Sequence, residues 1–212
     1  MGGKTSLVCL MYLTIFCSVY SENGRPIMDV ALLMDSSDSY RSQNFDNETK
    51  FALEFVEQIF TKYTLISLFT FGSTANSKFN LDAFNDIQLM NQTITYMWYS
   101  IGNIDVSTAI EFSIKNGFSD SAGDRKCIPK ALIILTHSPI SELEALRIST
   151  LLKTKRIRCF ILNMAGDSAI GNFIKITNAS SRILPIADFN ALESSANTMA
   201  NLSKTDKGDT FE

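Results

Sequence analysis

The sequence predicts an α/β chain: a mainly parallel six-stranded sheet, doubly wound, with helices on both faces. Three observations predict it. From residue 28 onward, short apolar runs alternate with segments of helical period, the sequence form of repeated βαβ units. The run "KALIILTH" (130–137) is continuously apolar, as a strand buried on both faces must be. Asp35, Ser37 and Ser39, spaced two apart, follow the first strand directly, and in such sheets the functional crevice opens beyond the carboxyl ends of the strands.

The elements follow in order. Met28 to Met34 is the first strand. "FDNETKFALEFVEQIFTKY" (45–63) places Phe45, Phe51, Phe55, Val56 and Ile59 near helical spacing. "TLISLFTFG" (64–72) is a β-branched and aromatic strand that stops at Gly72, and "SKFNLDAF" (77–84) alternates as a short edge strand does. Helices are expected over about 83–96 and 106–115. After the strand at 130–137, "SPISELEALRISTLLKTK" (138–155) offers Ser138 as N-cap, Pro139 at the first helical position and Glu142 in the first turn. "IRCFILNM" (157–164) is the next strand. Asp167 is expected to cap a short helix to residue 177, "RILPIA" (182–187) is the last strand, and Asp188 caps a closing helix.

The bulk numbers narrow the function classes. A chain of 212 residues is one domain with accessories, or at most two small domains. Its net charge is −3 with Lys and Arg scattered, which gives no basic stripe for nucleic acid. Residues 1–21 have the layout of a secretory signal peptide, with Lys4, an apolar run from Leu7 to Tyr20 and a cut ahead of Glu22. An uncleaved anchor is the other reading, although the run is short for a span. Removal leaves 18 basic against 22 acidic residues, a net charge of −4, and no membrane insertion is expected of the remainder. Residues 22–27 form a lead-in, 28–205 the domain and 206–212 a mobile tail. Four N-x-S/T sequons, at Asn47, Asn91, Asn178 and Asn201, suit an extracellular, glycosylated chain. Such a compartment also favours pairing of Cys127 with Cys159, two separate thiols being the alternative.

Asp35, Ser37 and Ser39 admit two readings. Asp and Ser favour turns for local reasons. The same oxygens on one tight loop also form one arc of a shell around a hard cation such as Mg²⁺. His137, the single histidine, lies past the strand at 130–137 and across the crevice. With Asp35 and Ser37 it supplies the ingredients of a hydrolase, but no G-x-S-x-G elbow is present, and the chain is read as a non-enzyme. Trp98 and Tyr99 stand near the crevice rim, either as partner anchors or as packing for the loop. "KTKRIR" (153–158) is a basic helix end.

Several segments in the same order carry a resemblance to a known family: "DVALLMDSSDSY", "NFDNETKFALEFVEQI", "ISLFTFGSTANSKFNLDAF", "YSIGNIDVSTAIEF", "PKALIILTHS" and "IADFNALES". Across about residues 28–205 the chain resembles the von Willebrand factor type A domain, found in matrilins, collagen VI and the inserted domains of integrins. The resemblance implies a Rossmann-like fold and an extracellular binding module for adhesion or matrix assembly. Its implied partner is a protein such as collagen or another matrix component. It also implies a Mg²⁺-dependent adhesion site, for which Asp35, Ser37 and Ser39 match the first loop. The second loop supplies a Thr where this chain has Ile104, and the third an Asp where it has His137. The implied ligand rim is Asp38, Trp98, Asp105 and His137, on loops around 36–42, 100–107 and 137–141. A secreted decoy that imitates matrix domains fits the same resemblance.

Overall fold

The computed structural model describes residues 27–36, 42–98, 102 and 105–206. The expected signal peptide, most of the lead-in, Ser37, Asp38, Ser39, Tyr99, Ile104 and residues 207–212 lie outside them.

Among the described residues, six strands form one sheet: β1 (Asp29–Asp35), β2 (Leu65–Phe71), β3 (Ala75–Phe79), β4 (Lys130–Thr136), β5 (Ile157–Asn163) and β6 (Ile183–Pro185). Their order is β3-β2-β1-β4-β5-β6. All pairings are parallel except β2 with β3, which is antiparallel and carries a register shift at Leu68/Phe69. The helices that cover the sheet are α1 (Ser42–Ile59), α2 (Ile87–Thr95), α3 (Val106–Gly117), α4 (Glu142–Lys155), α5 (Ile170–Thr177) and α6 (Leu192–Thr205).

Alternation along β1 explains the two layers. Val30, Leu32 and Met34 point to one face and pack with Phe51 and Phe55 of α1 and Met199 of α6. Ala31 and Leu33 point to the other and pack with Ile110 of α3, Ile148 of α4 and Phe173 of α5. Every residue of β1 is buried, so this strand reads as an unbroken apolar run rather than an alternating one. The chain lays down β2 and β3 on one side of β1, then β4, β5 and β6 on the other. The switch point therefore lies beyond the carboxyl ends of β1 and β4, between Asp35 and Thr136.

Several boundaries differ from the sequence expectation, each for a local reason. β3 begins at Ala75, two residues before the expected edge strand, because a tight turn closed by Gly72 N–H to Thr74 O (3.2 Å) starts the pairing at once. α2 starts at Ile87, where Asp86 accepts from Gln88 N. α4 starts at Glu142 rather than near Pro139. Ser141 and Glu144 make a reciprocal capping box, whereas the Ser138 amide is taken by Thr136 Oγ1 at 3.1 Å. Asp167 opens a 3₁₀ turn (Asp167–Ala169) instead of capping α5. Asp188 does cap, accepting from Asn190 N (2.8 Å) and Ala191 N (3.2 Å), but it caps a 3₁₀ turn (Phe189–Ala191) ahead of α6.

Asp206, expected in the tail, is instead fixed to the fold. Its carboxylate takes Arg182 Nε at 2.6 Å and Nη2 at 2.9 Å, and its carbonyl takes Arg158 Nη1 at 2.5 Å. At the amino end of β1, the fully buried Asp29 accepts from Arg125 Nε (2.8 Å) and Nη2 (2.5 Å), and the same guanidinium bonds Met28 O and Tyr63 O. Burial nevertheless pushes the Asp29 carboxyl above its ordinary range, against the pull of Arg125.

Candidate functional site

The site is built where two strands end side by side. β1 ends on Asp35 and β4 on Thr136, and their register is parallel. Asp35 is closed off from solvent: its side chain has 0% exposure. Its Oδ2 accepts a hydrogen bond from Thr136 Oγ1 at 3.0 Å and lies 3.3 Å from His137 Nδ1. The His137 side chain is 24% exposed, and its ring stands against that of Phe189, centroids 6.4 Å apart. Ser36 anchors the start of the first loop, since both its Oγ (2.7 Å) and its N–H (2.8 Å) donate to Phe71 O of β2.

The second loop is seated by Gly102. At φ +135° it lies so close to the β2–β3 turn that an added Cβ would sit 2.5 Å from Ser73 Cβ, so only glycine fits. The loop then enters α3 through Asp105. This carboxylate accepts from Thr108 N (3.0 Å), Thr108 Oγ1 (3.2 Å) and Ser107 Oγ. Burial pushes its pKa up, but those hydrogen bonds prevail and hold it below the ordinary carboxylate value. The buried Ser107 also donates to Glu144 Oε1 at 2.9 Å. Asp105 and Ser107 thus serve the N-terminus of α3 and its contact with α4.

Trp98 is 83% exposed and Tyr96 78% exposed at the approach to this loop. Lys78 Nζ of β3 donates to Trp98 O at 2.7 Å, which ties the backbone there while leaving the indole in solvent. Further along the same edge, Asn163, Met164, Gly166, Asp167 and Pro185 line a shallow depression of about 400 Å³. Thr136, Glu144 and Phe189 were not singled out from the sequence. Only Thr136 carries a signal, as the one polar residue ending an otherwise apolar strand.

Among the described residues, no three His, Cys, Asp or Glu side chains converge as a metal would need. The resemblance implied Mg²⁺, a hard ion that takes oxygens in octahedral array. The residues at the two strand ends bring one carboxylate, already engaged by Thr136, and one imidazole nitrogen. On their own these two groups are not a donor set Mg²⁺ favours; the first-loop oxygens of Ser37 and Ser39 lie outside the described residues.

The expected Cys127–Cys159 bridge is not formed. Cys159 lies opposite Leu132 inside the sheet, whereas Cys127 is exposed on the loop before β4 at φ +71°. Cys127 thus sits outside the sheet, three residues before β4 begins, while the Cys159 side chain packs in the core. Burial pushes the Cys159 thiol well up. Of the sequons, Asn178 and Asn201 are exposed. Asn91 Nδ2 donates to Glu57 Oε1 at 2.8 Å, and Asn47 Nδ2 to Asn190 Oδ1 at 3.4 Å.

A parallel doubly wound sheet, with an aspartate ending the first strand at the switch point, defines an α/β class that presents its loops at one sheet edge. The chain belongs to the von Willebrand factor type A domain family, whose model matches residues 29–198. It is 26% identical to chicken (Gallus gallus) matrilin-1 over 122 residues, 57% of this chain and 25% of that protein. It is 30% identical to the transmembrane cell adhesion receptor mua-3 of Caenorhabditis elegans over 126 residues, 57% of this chain and 3% of the receptor. The matched stretches thus span a quarter or less of those relatives. The fold is shared with proximal thread matrix protein 1 of the mussel byssus (TM-score 0.74, 18% identity), over 85% of this chain and 49% of that one. Another structure of the mussel protein is described with a zinc-occupied MIDAS motif, the metal-ion-dependent adhesion site (TM-score 0.72, 18% identity, 85% of this chain and 48% of that one).

Proposed function

We propose that the chain is a secreted binding module that grips an extracellular protein, of the matrix type its relatives belong to, through the carboxyl edge of its sheet. The observation that carries this reading is the exposure of Trp98, 83%, beside a loop that Gly102 holds against the sheet. An exposed tryptophan is a frequent anchor of a protein interface. The match to adhesion and matrix proteins supports the same role, and so do the exposed sequons. No described helix is long and apolar enough to cross a membrane.

The binding surface comprises Trp98, Gly102 and His137 at the end of β4, with Asp35 buried beneath the histidine. The Ser37 and Ser39 hydroxyls belong to the first loop by sequence. The comparison of binding with and without EDTA decides whether Mg²⁺ takes part in the contact. Secretion is tested by expression in animal cells: the medium should hold a protein starting near Glu22 that loses mass on deglycosylation. Binding is tested by flowing collagens and other purified matrix proteins over the immobilised domain, with and without EDTA. A ligand that binds equally in both, and weakens at least tenfold with Trp98→Ala, supports the reading. Indifference of every captured ligand to Trp98→Ala would remove this edge as the interface.

A further inference from the structure

We propose that the amino end of the sheet carries a second binding face, separate from the carboxyl edge, whose partner is a sulfated glycosaminoglycan. Lys115 and Lys155 flank a cleft between the ends of α3 and α4, and Lys126, Lys153 and Arg156 extend its charge over the adjoining surface. The choice of polymer rests on the secreted reading above; the face itself does not.

The charge is local. The chain as a whole is acidic, with a net charge of −3 and a sequence pI near 5.3. Yet Lys115, Lys126, Lys153, Lys155 and Arg156 are all exposed, and none of them enters an ion pair among the described residues. Topology gathers them. α3 ends at Gly117 and α4 at Lys155, and both helices cover the same face of the sheet. Lys126 lies on the loop before β4 and Arg156 directly before β5, and these strands are neighbours, with Lys130 opposite Ile157. Several acids of this region are already matched: Asp29 by Arg125, Asp124 by Lys130 at 2.7 Å and Asp206 by Arg182 at 2.6 Å. Asp120 and Asp82, the latter against Gly123, stay exposed. Five cations against two acids leave an excess of three positive charges.

Helix ends favour lysine, because the last carbonyls carry partial negative charge. That accounts for Lys115, Lys153 and Lys155, each in a last turn, but not for Lys126, which caps nothing. Nor does it account for Arg156. This residue is left-handed, φ +55° and ψ 42°, at the C-cap of α4, where glycine is the usual occupant.

The cleft gives the charge a shape. It encloses about 470 Å³, with Ile114, Phe118 and Leu151 among its lining and the two lysines on opposite helices. Glu111 also lines it but pairs with Arg147 at 3.0 Å. A sugar ring offers C–H faces to such an apolar lining and peripheral sulfates to the lysines, the mixture of contacts that ligand clefts use. Single-stranded nucleic acid is gripped by stacking on aromatics, and a bilayer surface by apolar side chains pressed into it. Neither belongs here: the large exposed apolar side chains among the described residues, Trp98 and Leu143 included, lie on other segments.

The test passes the untagged protein over immobilised heparin at physiological ionic strength, with desulfated heparin, double-stranded DNA and phosphatidylserine vesicles in parallel. The expected result is retention on heparin, release by added salt and no retention without sulfate. Because the protein is net negative, retention reports the local face. Lys155→Gln with Arg156→Gln should weaken heparin binding at least tenfold. Lys50→Gln with Lys175→Gln removes the same charge from α1 and α5 and should leave binding unchanged. Thermal melts check that both pairs fold, and Lys115→Gln with Lys126→Gln repeats the test from the other side of the cleft. Passage of the wild type straight through, equal weakening by the near and distant pairs, or binding to DNA or vesicles as tight as to heparin would each overturn the proposal. Absence of the protein from the culture medium would fail the secreted reading instead, without altering these measurements.

Discussion

Gly102 is a backbone position before it is anything else. Its φ of +135°, and the 2.5 Å that would separate an added Cβ from Ser73 Cβ, leave Gly102→Ala with no relaxed conformation. The cost should be about 1–3 kcal/mol, and the emission of Trp98, the single tryptophan, should shift as the loop lifts. Unchanged emission and Tm would mean that the loop is not seated on that turn. Asp105 makes a different prediction. Its pKa lies below the ordinary 3.8, so its contribution is present above that value and is lost as pH falls through the lower folded one. Asp105→Asn should therefore cost stability at neutral pH and flatten the acid limb of the Tm–pH curve. An unaltered acid limb would show that Asp105 does not cap α3 in solution. The residues Asp35 and His137 were legible as a pair facing the crevice because each follows a strand. Thr136 carried only a faint signal, a polar residue ending an apolar strand, which is easily taken for ordinary β-propensity.

At the scale of elements, strands were easier to read than helix starts. A strand buried on both faces must be apolar throughout, so "KALIILTH" could be little else. A helix start depends on which of several serines captures which amide. Ser138 and Ser141 both satisfy the simple pattern, and only the Glu144 side chain reaching back decides between them. The end of α6 depends on a contact with no local signature. Asp206 follows the helix, and Arg182 meets it from 24 residues upstream with Nε at 2.6 Å. Arg182 is 4% exposed and packs over the Phe160 ring. Arg182→Met should leave the largely buried Asp206 carboxylate to the longer Arg158 contact, Nη1 to Oδ1 at 3.8 Å, and lower stability by about 2–3 kcal/mol, roughly 5–10 °C in Tm. Pairing it with Asp206→Leu should recover part of that loss. Equal losses in the single and double variants would show that the guanidinium packs rather than pairs.

For the whole molecule, the sheet order follows from the alternation of elements and the family pattern, and β3-β2-β1-β4-β5-β6 is what the structure shows. The disulfide was the poorest expectation, because the compartment argument carries no distance in it. The two sheet borders also differ in kind from the interior. β6 is three residues long and contains Pro185, which has no amide proton to give; β3 is five residues long, irregular in register and carries Lys78. Neither border offers the long flat row of open backbone groups along which identical chains stack into fibres. Protection against self-templated aggregation at high local concentration is therefore built into the outermost strands.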